Sequence, residues 1–194
     1  MATEDHKPKA FKTRTRFDGR NHARQLNFGC FQNRPFLRSE RACSWFCDGL
    51  RLALQNHPAR LWAFCIMPDH AHLLLFPERP DWRASRFLST LKQSVSKTAV
   101  AWMEKHSPDR CAIMQDQRPD GHVVYRFWQR GGGFDRNLWT AGAVWEMIDY
   151  IHMNPVRAEL CARPQDWRWS SARTYVLKDK AEVMVDLQGL PPKP

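Results

Sequence analysis

The amino-acid sequence predicts an α+β fold of the split βαβ, ferredoxin-like kind: a central antiparallel sheet with two helices on one face and an additional helix toward the C-terminus. Three observations predict it. Strand-like segments alternate with two long amphipathic helical segments in the order β-α-β-β-α-β. The two middle strands, "LWAFCIM" and "HAHLLLF", are separated only by "PD", so they pair as an antiparallel hairpin. A third helical segment follows the last strand.

The elements follow in order. Residues 1–24 carry seven basic side chains and little that can be buried, which reads as a flexible basic arm. "QLNFGCF" places Leu26, Phe28 and Cys30 on one face and ends at the turn-like "QNRP", a first strand. Ser39 is positioned to cap a helix whose apolar residues Ala42, Trp45, Phe46, Leu50 and Ala53 recur at three- and four-residue steps. After the hairpin, Ala84, Phe87, Leu91, Val95, Ala99 and Trp102 mark a second long helix that Pro108 follows. "HVVYRFWQR" reads as the fourth strand and "RGGGFDRN" as a flexible turn. The third helix is expected from near Thr140 to Asn154, because the residue before Pro155 is pushed from helical geometry. From residue 178 onward prolines and the lack of periodicity predict a tail, leaving residues 25–177 as one catalytic domain.

Composition narrows the function. Thirty Lys and Arg against twenty Asp and Glu give a formal charge of +10, which favours polyanionic partners, nucleic acid first among them. Aromatic residues, 12% of the chain, sit among the arginines as base-stacking surfaces require, although most are expected in the core. The six cysteines form no CxxC pair and read as free thiols. With neither a signal-peptide core nor an apolar run long enough to span a bilayer, a cytoplasmic protein is expected.

One motif stands out of the strand pattern. In "MPDHAHLLLF", His70 and His72 are two apart, so in a strand their rings share a face and can converge on one metal ion. A pair of imidazoles satisfied by neighbours or by solvent is the other reading. Near the end of the third helix, Tyr150 and Asn154 are four apart and share a helical face. Either residue alone reads as an ordinary rim or helix-terminating position.

Taken together, "MPDHAHLLL", "FWQRGGGFDRNLW", "YIHMNPVRAEL" and "DWRWSSARTY", in that order and spacing, resemble the single-tyrosine HUH transposases, the IS200-like group and its REP-associated relatives. The resemblance covers residues 26–175. It implies cleavage and rejoining of single-stranded DNA, with hairpin DNA as the expected substrate and a 5′-phosphotyrosine intermediate on Tyr150. His70 and His72 match the HUH pair, and Asn154 matches a third, amide ligand of a divalent ion, Mg²⁺ or Mn²⁺. That ion would polarise a phosphate oxygen. An ordinary phenol is mostly protonated at neutral pH, so a cation such as the metal or Arg157, or a water accepting the proton, has to assist it. The general base is not assigned.

Arg126, Arg130 and Arg136 around the glycine run are candidate contacts to a DNA backbone. Trp128 or Phe134 is a candidate base-stacking ring, Lys92 and Lys97 lie on a helix that touches DNA in relatives, and Arg157 completes the set. The chain departs from the family at Glu159, where many relatives have Gly, and in a longer loop before the fourth strand. It also lacks the Gly-Thr-Trp motif of palindrome-specific members. Relatives include domain-swapped homodimers and monomers, and both stay open. The alternatives are a non-catalytic DNA-binding module and a metal-dependent nuclease on the same fold.

Overall fold

The computed structural model describes residues 22–194. Most of the basic arm expected over residues 1–24 lies outside the described residues; Ala23 and Arg24 already belong to the first strand. The elements are β1 (Ala23–Gly29), α1 (Glu40–Asn56), β2 (Ala59–Ile66), β3 (His70–Pro77), α2 (Ala84–His106), the short α3 (Pro108–Cys111), β4 (Gln115–Gln117), β5 (Val123–Tyr125), β6 (Phe134–Leu138), α4 (Ala141–Arg157) and α5 (Ala172–Leu177). The main sheet is antiparallel, in the order β2-β3-β1-β6. This is the ferredoxin-like arrangement the sequence predicts.

Alternation along the strands divides the core in two. Leu26 and Phe28 of β1, with Ala71, Leu73 and Leu75 of β3, face α1 and α2. The Ser39 hydroxyl caps α1 by accepting from the Ala42 N–H. Where α1 crosses α2, a Cβ on Gly49 would meet Val95 Cγ2 at 3.0 Å, so glycine sets the closeness of this packing. On the opposite face, Ala63 and Cys65 of β2 and Leu74 of β3 pack against Val144, Ile148 and Ile151 of α4. His70 and His72 have the same parity as Leu74 and therefore look toward α4.

Two boundaries differ from expectation. The fourth strand of the sheet is not the segment 122–130. Val123–Tyr125 pairs only with β4 in a separate hairpin, while Phe127 and Trp128 both enter the core layer of α1 and α2, whereas neighbours in a strand point to opposite faces. The outer strand is β6, inside the stretch expected to be a turn. Gly133, at φ +73°, lets the chain pass beneath β1 where a Cβ would lie 2.3 Å from the Asn27 carbonyl oxygen. The Arg24–Asp135 ion pair, at 2.6 Å with both side chains almost fully buried, then joins β6 to β1.

The second difference is at α4, which continues through Pro155 to Arg157 instead of stopping at Asn154. Proline removes one backbone donor within the last turn, and its ring is buried, which offsets that loss. The helix stops when Glu159 takes a left-handed conformation, φ +56°. Beyond it, α5 is tied down by Ser171, whose hydroxyl accepts from the Phe64 N–H at 2.9 Å. Residues 178–194 hold no helix or strand but are docked: Trp62 and Trp145 donate their indole N–H groups to the Gln188 and Pro191 carbonyls. Trp167 and Trp169 pack with the core, and all six cysteines are free. No helix among the described residues is long and apolar enough to cross a membrane.

Candidate active site

The site lies where β3 begins, against the last two turns of α4. Strand parity brings the two imidazoles together: His70 Nε2 and His72 Nε2 are 3.0 Å apart, with the rings nearly perpendicular. His72 is buried. Burial first, and then the neighbouring His70, lower its pKa to about 4, so its ring is neutral at physiological pH and keeps a lone pair. Its Nδ1 is buried without a hydrogen-bond partner.

The strand that carries the pair is held in place from its neighbours. His72 lies opposite Asn27 on β1 and Cys65 on β2. The β2–β3 turn is fixed by the Cys30 N–H donating to the Asp69 carbonyl, at 2.6 Å, and the Leu37 N–H donating to the Pro68 carbonyl, at 2.9 Å. The sequence presents "PD" only as a turn, and the structure adds Asp69 to the candidate site. Asp69 Oδ1 is 2.6 Å from His70 Nδ1, which places the proton of His70 on Nδ1 and turns the Nε2 lone pair toward His72. A carboxylate immediately before the first histidine was the available signal.

Helix α4 supplies the other side. Ile148 and Ile151 point into the sheet, which leaves Tyr150 at the rim with its ring centroid 5.6 Å from that of His72, edge to face. Asn154, one turn on, donates from Nδ2 to the Tyr150 carbonyl at 2.7 Å. The Arg157 guanidinium sits 5.2 Å above the Tyr150 ring. The structure therefore brings together His70, His72, Tyr150, Asn154 and Arg157.

The donor set suits a small divalent cation. Two ligands about 2.1 Å from one ion and at right angles to each other stand about 3.0 Å apart, the separation of the two Nε2 atoms. The contact between the two Nε2 atoms uses one proton at most, and it leaves His72 Nδ1 without a partner. Among the described residues no group of three or more His, Cys, Asp or Glu is placed to hold a metal ion.

The remaining candidates separate. Lys92 lines a groove of about 390 Å³ together with Asp69, His70 and Arg130. Burial lowers its pKa to about 8, and its Nζ donates to the Gly131 carbonyl at 3.0 Å. Arg126 and Arg130 both pair with Asp116, and Lys97 lies farther along α2. Arg136 is exposed on edge strand β6, opposite Gln25 and outside these grooves. Trp128, expected as a base-stacking ring, is instead a core residue. It is 6% exposed, its ring packs 5.2 Å from Phe28, and its N–H donates to the Lys92 carbonyl.

The fold thus holds an imidazole pair and a tyrosine together. No protein-family model matches the chain. It is 30% identical over 139 residues to a REP-associated tyrosine transposase of Haemophilus influenzae, covering 71% of each protein. Among solved structures it superposes on a REP-associated tyrosine transposase bound to a REP hairpin, with a TM-score of 0.68 and 14% identity, over 94% of this chain and 89% of that one. A transposase from Deinococcus radiodurans aligns at a TM-score of 0.42 and 20% identity, over 71% of this chain and 93% of that one. The chain belongs to the REP-associated tyrosine transposases.

Proposed function

We propose that this transposase cleaves and rejoins single-stranded DNA at hairpin-bearing sites through a 5′-phosphotyrosine link on Tyr150, with Mg²⁺ or Mn²⁺ held by His70, His72 and Asn154. The observation that carries this reading is the 5.6 Å approach of the Tyr150 ring to His72, beside two imidazole nitrogens 3.0 Å apart. The hairpin substrate draws on the solved relative, which is bound to a REP hairpin.

In the forward step the Tyr150 oxygen attacks the phosphorus of the scissile phosphodiester and the bond to the 3′ oxygen breaks. That oxygen leaves as a hydroxyl, and the 5′ phosphate stays on the tyrosine. A 3′-hydroxyl of a second strand end reverses the attack and releases the phenol. One phosphoester bond replaces another at each step, so no nucleotide cofactor is consumed. Arg157 packs over the face of the ring and helps to hold it at the rim of the site. Asn154 braces the tyrosine turn through the Tyr150 carbonyl, and Asp69 keeps the His70 ring in one tautomer. A divalent ion on these ligands supplies Lewis-acid polarisation of a non-bridging phosphate oxygen. Lys92 and Arg130 line the groove that begins at His70 and hold the backbone phosphates there.

The test is incubation with labelled single-stranded hairpin DNA and Mn²⁺ followed by a denaturing gel. The expected result is a protein–DNA adduct that disappears with Tyr150→Phe, with His70→Ala or with EDTA. An adduct that survives Tyr150→Phe removes the assignment of the nucleophile. Cleavage without any adduct indicates a metal-dependent nuclease, and binding without cleavage a non-catalytic module.

A further inference from the structure

We infer that a groove between α2 and β5 receives unpaired nucleotides of the DNA and that Tyr125 stacks on one of their bases. The inference rests on the single-stranded substrate proposed above. Beside the groove at His70 lies another. This second groove, of about 280 Å³, runs between α2 and β5 and shares Lys92, Gln129 and Arg130 with the first as a common wall. A strand with a phosphate at His70 reaches Lys97 by passing over these three shared residues.

The walls suit a polyanion. Lys92 and Lys97 stand on α2, with Arg126 and Arg130 on the opposing segment, where both arginines pair with Asp116. Asp116 binds both arginines through one oxygen, Oδ2, which orders the two guanidiniums and leaves the cluster positive. Phosphate recognition by such a wall is independent of sequence and salt-dependent.

The groove also holds aromatic rings, and burial tells them apart. Phe127 and Trp128 are 3% and 6% exposed, committed to the core, whereas Tyr125 is 41% exposed. Tyr125 ends β5 opposite Gln115, on the hairpin that the sequence shows as a lengthened loop. An exposed ring next to a line of cations is the combination that binds single strands, because the face of an unpaired base stacks on the ring while its phosphates meet the cations. A base inside a duplex has no free face to offer.

The experiment measures the binding of three labelled DNAs by fluorescence anisotropy: a hairpin with a single-stranded extension, the same hairpin with blunt ends, and an unstructured oligonucleotide. Tyr125→Ala is expected to weaken the extended hairpin and the unstructured strand by roughly tenfold, the loss of one base stack, and to leave the blunt hairpin unchanged. Tyr125→Phe is expected to stay within about twofold of the parent protein, since the ring is retained. Lys97→Ala is expected to lower the slope of log affinity against log salt by about 0.7 for the unstructured strand, one phosphate contact. An unchanged affinity for the extended hairpin with Tyr125→Ala, or an equal loss on all three DNAs, overturns the inference, as does an unchanged salt slope with Lys97→Ala. Binding needs no cleavage, so failure to form a Tyr150 adduct overturns the catalytic reading while leaving this measurement intact.

Discussion

Replacing Asp69 tests whether the imidazole pair is an oriented ligand set or a fortuitous contact. The His70 Nδ1 to Asp69 Oδ1 distance of 2.6 Å is that of a strong, charge-assisted bond, but the two side chains are 28% and 41% exposed, so water screens the charge. The bond is then worth about 1 kcal/mol, not the several of a buried pair. Asp69→Asn retains an acceptor oxygen and loses the charge, and at about 1.4 kcal/mol per decade it should raise the Mn²⁺ concentration for half-maximal adduct about fivefold. Asp69→Ala also releases the tautomer, and the expected rise is about 10- to 100-fold. The turn itself is retained, because the contact from Cys30 is made to the Asp69 backbone carbonyl. The assay is adduct yield against Mn²⁺ concentration, with direct calorimetric titration of Mn²⁺ as the second readout. Mn²⁺ curves for both variants that superimpose on that of the parent protein would refute the reasoning, and so would a loss of yield that added Mn²⁺ does not restore.

Two further outcomes follow from the same geometry. Glu159 holds a left-handed conformation at φ +56°, where glycine is unstrained, so Glu159→Gly should stabilise the fold by roughly 0.5–1 kcal/mol after the added chain entropy is subtracted, raising the melting temperature by about 2 °C; a lower melting temperature contradicts this. In EDTA, acid should destabilise the protein through His72 and His152, whose folded pKa values are both lowered by burial to about 4 from an ordinary 6.5. Between those values the unfolded chain binds the extra protons, so stability present above about pH 6.5 is lost as the pH falls toward 4, each histidine approaching about 1.4 kcal/mol per pH unit. Urea midpoints measured across this range should fall, and His152→Gln should flatten the profile; a flat parent profile would refute the assignment.

How far these features were legible from sequence depends on whether a feature is local. The helices α1 and α2 and the β2–β3 hairpin announce themselves through periodic apolar residues and a short connection. Strand β6 does not. "FDRNL" has no apolar alternation, and what makes it a strand is its pairing with β1 and the burial of Asp135 against Arg24, 111 positions away. The same distinction explains the aromatic rings. Trp128 and Tyr125 are both large rings beside arginines, and only the packing of Phe28 and Phe46 around Trp128 decides which is core. Pro155 misled for a related reason: its local preference ends helices, but the buried face of α4 carries one more turn.

The site was more legible than the sheet edge because the apolar pattern that builds the core also aims the chemistry. On β3 the parity that sends Leu73 and Leu75 toward α1 and α2 sends His70 and His72 the other way, and a slip of one residue would turn both imidazoles into that apolar layer. On α4, seating Ile148 and Ile151 against the sheet leaves the turn of Tyr150, Asn154 and Arg157 at the rim beside His72. Neither alignment needs a contact between the functional groups themselves. A substitution that repacks Ile148 or Leu74 therefore moves the phenol relative to the imidazoles even when every functional side chain is intact, which ties the precision of the site to the stability of the second core layer.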